Sequence, residues 1–181
     1  MHKQTKALKR LFWAQGDIQA ARELCDHILA GSIEPGWKWR AVESGIVVSY
    51  ARPFGENKGL GRLSSRFECF HDPKLATVHK MLLHTRDVVV AHNNLLERKS
   101  VLADNVSEDE AARVTIMIES NGQNWWTLPV PHLQAGNIRR IAELCRFQEE
   151  RIRRESDAIL IELARTHPHE PGTYQLGADF P

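Results

Sequence analysis

The stretch from Gln134 to Arg165 constrains the fold more than any other part of this chain. Ile138, Ile141, Cys145, Gln148, Ile152, Ile159 and Leu163 recur at steps of three, four and seven. That is the spacing of one helical face. Nothing interrupts the stripe until Pro168, which stops it. The spacing predicts one helix of about 28 to 32 residues, against a mean of ~11 to 12. Arg139, Arg140, Arg146, Arg151, Arg153 and Arg154 share its other positions with Glu143, Glu149 and Glu150. Mixed signs at this spacing read as a solvated face laced with i,i+4 pairs. An amphipathic helix of this length commits the chain to a mainly α fold.

Three further helices are legible. Asp17 is placed to cap a helix running to about Ala30, with Gly31 as its stop. Ile18, Ala21, Leu24, Cys25, Ile28 and Leu29 supply its apolar face. Residues 1–16 then stand ahead of the domain as a basic segment, frayed or briefly amphipathic, with an RNA-binding arm as the less favoured reading. After the turn at Pro35-Gly36, a second helix is expected from Trp37 to Ala51. Its middle, Gly45-Ile46-Val47-Val48, is poor in helix propensity. Its polar flanks favour a helix over a buried strand. Pro53 ends it. His71-Asp72-Pro73 opens the third helix, with Asp72 as cap and Pro73 in its first turn. Apolar residues at 75, 78, 82, 89 and 90 carry that helix to about Arg98.

The period then changes to two. The runs 113–119 and 124–130 flank Ser120-Asn121-Gly122-Gln123, and Asn-Gly is a strong short-range hairpin signal. A two-residue turn there sets Ile118 opposite Trp125 and Met117 opposite Trp126. The two tryptophans read as packing the hairpin, about 112–130, onto helices in preference to a base-stacking platform. The tail, 166–181, is Pro-rich and expected to be poorly ordered.

Composition excludes several function classes. The 181 residues fit one decorated domain, and a formal net charge of +1 provides no global field for nucleic acid. Any RNA contact must come from a local patch. The densest basic cluster outside the last helix is Arg52, Lys58, Arg62 and Arg66, around a loop rich in glycine. It reads either as a solvated loop or as a set of phosphate contacts. Its glycines do not spell a nucleotide-binding fingerprint. Cys25, Cys69 and Cys145 are odd in number and far apart, which suits a reducing cytoplasm and argues against a disulfide frame or zinc knuckle. No apolar run approaches the ~20 residues that span a bilayer, so no membrane partner is expected. His79 and His84 lack a metal-site pattern, and no Gly-x-Ser-x-Gly turn presents a nucleophile, so neither a metal nor a cofactor is expected.

The third helix carries the stretch with the most chemistry, Arg86-Asp87-Val88-Val89-Val90-Ala91-His92. On a helix its Arg and His lie about 9 Å apart along the axis and about 120° apart around it. Arg offers a fixed charge and a planar fork of donors to a phosphate. His moves a proton near neutral pH. The alternative is an Arg on a solvated face and a His hydrogen-bonded at a helix end.

This stretch resembles the Arg-x(4–6)-His signature of the HEPN superfamily, in its Arg-polar-x4-His form. The resemblance covers roughly residues 17–165. Tyr50-Ala51-Arg52-Pro53-Phe54 also looks like the end of the second helix in some HEPN-like proteins. The resemblance implies a four-helix bundle with the motif on the third helix, here with an inserted β-hairpin. It implies metal-independent cleavage of RNA through attack by its 2′-OH. His92 would be the general acid or base, and Arg86 would stabilise the charge that grows on phosphorus. Asp87, where many members carry Asn, His or Asp, would orient one of them or contact RNA. It further implies a homodimer whose two motifs share one cleft, and a role as a toxin or phage-defence effector with an antitoxin or nucleotidyltransferase-like partner. The alternative within the family is a non-catalytic dimeric module that binds RNA, a nucleotide or a protein. A third possibility is an unrelated helical protein.

Overall fold

The computed structural model describes residues 3–33, 37–87, 115–118, 124–127, 133 and 135–166. For Trp37, Thr166 and the strand residues it describes the backbone alone. Four helices dominate: α1 (Lys3–Leu29), α2 (Trp37–Ala51), α3 (Pro73–Thr85) and α4 (Ala135–Thr166). α1 packs on α2 and α4, and α3 packs on the same two, so the four close into a bundle. Among the described residues, no helix is long and apolar enough to cross a membrane.

α1 departs from the expected start. It begins at Lys3, not at Asp17, and runs 27 residues. Thr5, Leu8, Leu11 and Ala14 are buried, continuing the stripe of Ile18, Ala21, Cys25 and Ile28 with steps of three and four throughout. Segment 1–16 is therefore the first half of a core helix over its described part. Asp17 looks like a cap because it follows Gly16 at a change in composition. Burial of the upstream apolar residues outweighs that local signal. The far end behaves as expected. Gly31 takes φ of 69°, and the Ser32 N–H donates to the His27 carbonyl, which closes the helix.

α2 forms as a helix despite its β-branched centre, because the same residues are the core. Ile46, Val47, Tyr50 and Ala51 are all buried. A Cβ at Gly45 would lie 3.1 Å from the Leu24 side chain, so glycine lets α1 and α2 approach closely there. Pro53 turns the chain into a short 3-10 segment, Arg52–Phe54. At α3 the Asp72 carboxylate accepts from the Lys74 N–H at 2.8 Å, and Pro73 sits in the first turn, as read. The expected continuation of α3 to about Arg98 lies outside the described residues.

α4 buries Ile138, Ile141, Leu144, Cys145, Gln148, Ile152 and Leu163 on one stripe. Two ion pairs rail it to α1: Arg22 with Glu149 at 2.9 Å and Arg146 with Asp26 at 2.8 Å. The first is partly buried and the second exposed, and pairs this open to solvent contribute little, about 0–1 kcal/mol for the exposed one. The apolar seam between them holds the helices together.

Thr115–Ile118 (β1) and Asn124–Thr127 (β2) pair antiparallel. The register differs by one residue from the expected one: Met117 faces Trp125, and Ile118 faces Asn124. A two-residue turn leaves an even number of residues between partners. The observed ladder has five, 119–123, between Ile118 and Asn124. The residues expected to form the turn lie outside the described set.

Candidate functional site

After the 3-10 segment Arg52–Phe54 the chain passes from Gly55 to Leu63 without regular structure, yet it is firmly tied. The Asn57 amide donates to the carbonyls of Arg52 and Gly55, at 3.0 and 3.3 Å. The Leu63 N–H donates to the Pro53 carbonyl at 2.8 Å. Gly59 and Gly61 take φ of 90° and 75°, a region that side chains with a Cβ rarely enter. These turns aim the Leu60 carbonyl at Arg10 of α1, whose Nε donates to it at 2.8 Å.

Loop and helix thereby enclose a cleft of about 320 Å³. Arg10, Trp13 and Asp17 line it from α1, and Arg52, Glu56 and Lys58 from the other side. Arg52 donates to Asp17 at 2.6 Å. Burial raises the Asp17 carboxyl above its ordinary range, against the pull of Arg52. The terminal nitrogens of Arg10 and the ammonium of Lys58 make no hydrogen bond to any described residue. Trp13 is 69% exposed, unusual for so large an apolar side chain.

Arg86 stands at the end of α3, where its backbone is still helical and its N–H donates to the Leu82 and Leu83 carbonyls. Its Nε donates to the Asp87 carboxylate at 2.7 Å, and Nη2 reaches the same oxygen. The remaining nitrogen, Nη1, rests on Gly55: a Cβ built there would lie 2.7 Å from it and 3.6 Å from the Arg52 carbonyl. The guanidinium is thus held on one edge by Asp87 and backed by the same loop that carries Arg52 and Lys58. His92 lies outside the described residues.

The four basic residues of the expected cluster do not act as one group. Arg52 and Lys58 face the cleft. Arg62 is ion-paired with Glu68, and Arg66 with Glu155 of α4. Arg66 instead borders a second hollow of about 220 Å³ with Phe67, Arg151 and Arg154. Arg10 and Trp13 are the residues that reading the sequence left out. Their signal was present, since Leu8, Leu11 and Ala14 extend the stripe of α1 and put Arg10 and Trp13 beside it.

The remaining titratable groups of the core have structural roles. His79 is buried against Phe54 and Phe70, with ring centroids at 4.8 and 5.0 Å. Its Nδ1 is 2.8 Å from the Tyr50 hydroxyl. Burial pushes this imidazole down to about 4. Arg151 lies over the rings of Phe67, Phe70 and Phe147 and donates to the Phe67 carbonyl and the Gln148 amide. Burial lowers its pKa. Among the described residues, no three His, Cys, Asp or Glu side chains converge as a metal site.

Comparison with known protein families, with curated proteins and with solved structures finds no match for this chain.

Proposed function

We propose that this protein is a metal-independent endoribonuclease of the HEPN type. In this reading, the bundle with its antiparallel strands between α3 and α4 is a HEPN-like four-helix bundle carrying an inserted β-hairpin. The observation that carries the reading is the setting of Arg86. Its guanidinium is oriented by Asp87 on one edge and packed on Gly55 at the other, beside a loop that presents Arg52 and Lys58 to a cleft. A solvated arginine at a helix end has no need of such a frame.

The chemistry needs two proton transfers and one charge stabiliser. The substrate's 2′-OH attacks the adjacent phosphorus, the bond from phosphorus to O5′ breaks, and a 2′,3′-cyclic phosphate and a 5′-OH result. His92 removes the 2′-OH proton or supplies one to the leaving oxygen. Arg86 offsets the charge that builds on the non-bridging oxygens. One protomer provides one Arg and one His, so a twofold homodimer with both motifs in one isologous cleft completes the site. A cytoplasmic toxin or defence effector, held in check by an antitoxin or a nucleotidyltransferase-like partner, is the setting this reading implies.

The test is incubation of the purified protein with total RNA in EDTA, beside Arg86→Ala and His92→Ala. Cleavage with 2′,3′-cyclic phosphate and 5′-OH ends is expected for the wild type, with both variants near background. Cleavage that EDTA abolishes, or that survives His92→Ala, overturns the mechanism. A pure, folded dimer that cleaves no RNA moves the assignment to a binding module.

A further inference from the structure

Trp13 has no packing role among the described residues that accounts for its exposure. It stands 69% exposed at a cleft whose lining also holds Arg10, Asp17, Arg52, Glu56 and Lys58. Among the described residues, no arginine or lysine lies over its ring, and no other aromatic side chain stacks on it. Phe12 beside it is 43% exposed. Arg10 and Asp17 stand beside it on α1, and Arg52, Lys58 and Glu56 face it across the cleft. Arg10 spends only its Nε on the loop, and Arg52 is anchored through one Nη1. A flat π-face next to charged donors with free valences matches one ligand chemistry, a heteroaromatic ring joined to a phosphate.

We propose that this cleft is a nucleotide subsite, in which a base stacks on Trp13 and its phosphate is held by Arg10, Arg52 and Lys58. The cleft volume of about 320 Å³ falls at the lower end of small-ligand pockets, ~300–1,000 Å³, which is room for one nucleotide unit. Three cations against two carboxylates leave one net positive charge. That balance suits the single negative charge of a phosphodiester better than the double charge of a terminal phosphate. The unit therefore belongs to a single strand. Base stacking tolerates any sequence, because every base has a π-face.

The position of the subsite extends the ribonuclease reading, on which the strand's fate, though not its binding, depends. The loop from Arg52 to Lys58 forms one wall of the cleft and, at Gly55, backs the Arg86 guanidinium. A strand anchored at Trp13 thus continues over that loop toward Arg86. The subsite positions the scissile phosphate and takes no part in the chemistry.

The test uses a fluorescein-labelled 2′-O-methyl oligoadenylate decamer, which binds as a single strand but has no 2′-OH to react. Anisotropy gives its affinity for the full chain and for Trp13→Ala, Trp13→Phe, Lys58→Glu and Arg140→Glu. Trp13→Ala should weaken binding roughly 5- to 150-fold, the equivalent of ~1–3 kcal/mol of stacking at 1.4 kcal/mol per tenfold. Trp13→Phe should recover most of that loss. Lys58→Glu should weaken binding and flatten its salt dependence, whereas Arg140→Glu, the same charge change on an exposed residue at the start of α4, level with the far end of α1, should do neither. Melting curves check that every variant is folded, as expected for exposed side chains. Equal affinity of wild type and Trp13→Ala overturns the subsite. Displacement of the probe by AMP at the nucleotide concentration of competing RNA overturns the assignment to a strand. Trp13-dependent binding by a protein that cleaves no RNA supports the subsite and removes the ribonuclease reading. RNA cleavage with Trp13-independent binding does the reverse.

Discussion

Gly55→Ala isolates the placement of Arg86 from the stability of the fold. Gly55 has φ of −87° and ψ of 173°, ordinary extended backbone, so alanine fits without torsional strain. Reducing the freedom of the unfolded chain at a compatible position stabilises by about 0.4–1 kcal/mol. Against that, the new Cβ would lie 2.7 Å from Arg86 Nη1, well inside the ~3.4 Å at which ordinary contact begins. The guanidinium must withdraw by about 0.7 Å. It is the far end of a flexible side chain, so the fold yields cheaply, and the net effect on stability should stay within about 1 kcal/mol. In a chain of this size that is a shift of at most ~4 °C in Tm. Catalysis is less forgiving: a misplacement of ~1 Å can cost about 10²-fold in rate. The kcat/KM for a fluorogenic RNA in EDTA should fall roughly 10- to 100-fold, with Tm nearly unchanged. Because the effect runs through Arg86, the same substitution should add nothing in an Arg86→Ala background. Additive losses, or wild-type activity in Gly55→Ala while Arg86→Ala is inactive, would refute the idea that this contact positions the guanidinium.

Four further outcomes follow from the same geometry. His79 is neutral when folded, with a pKa of about 4, and ~6.5 when unfolded, so its contribution is complete above pH ~6.5 and drains away as pH falls toward 4. Urea midpoints across that range should drop by the equivalent of up to about 3 kcal/mol, and His79→Gln should flatten the slope; an unchanged slope would contradict the assignment. Cys25 is buried with its thiol pushed up to about 12, Cys145 is also buried and raised, and Cys69 is exposed. A thiol reagent should therefore titrate Cys69 alone in the native protein and all three in denaturant; rapid native reaction of a second thiol would be inconsistent with this core. Arg151→Lys should destabilise by roughly 1–2 kcal/mol in chemical denaturation, since Lys keeps the charge but loses the planar face over three rings and the fork that reaches the Phe67 and Arg66 carbonyls and the Gln148 amide. Gly61→Ala, at φ of 75°, should also destabilise, by about 1–2 kcal/mol, and should release Arg10 from the Leu60 carbonyl, which weakened binding of the decamer would report.

Sequence by itself determined the elements whose signals are local. The stripe from Ile138 to Leu163 made α4, Asp72-Pro73 opened α3, Gly31 closed α1, and Pro53 ended α2, because caps and breakers act on backbone groups within a turn of themselves. Antiparallel pairing of 115–118 with 124–127 was legible from the sequence, but its register was not, since Ile116-Met117-Ile118 and Trp125-Trp126 are apolar at consecutive positions and a slip of one residue still sets apolar residues opposite each other. What only the tertiary structure decided is who meets whom. Asp17 reads as a cap until Arg52, 35 residues away, arrives beside it. Arg52, Lys58, Arg62 and Arg66 read as one cluster until Glu68 and Glu155 claim two of them. Arg10 and Trp13 join the site only because α1 starts at Lys3 and the turns at Gly59 and Gly61 bring the loop across it. A charge or an aromatic face carries no local record of its partner. Packing of the apolar stripes sets the distances, and those distances select which cations are neutralised and which remain available to a ligand.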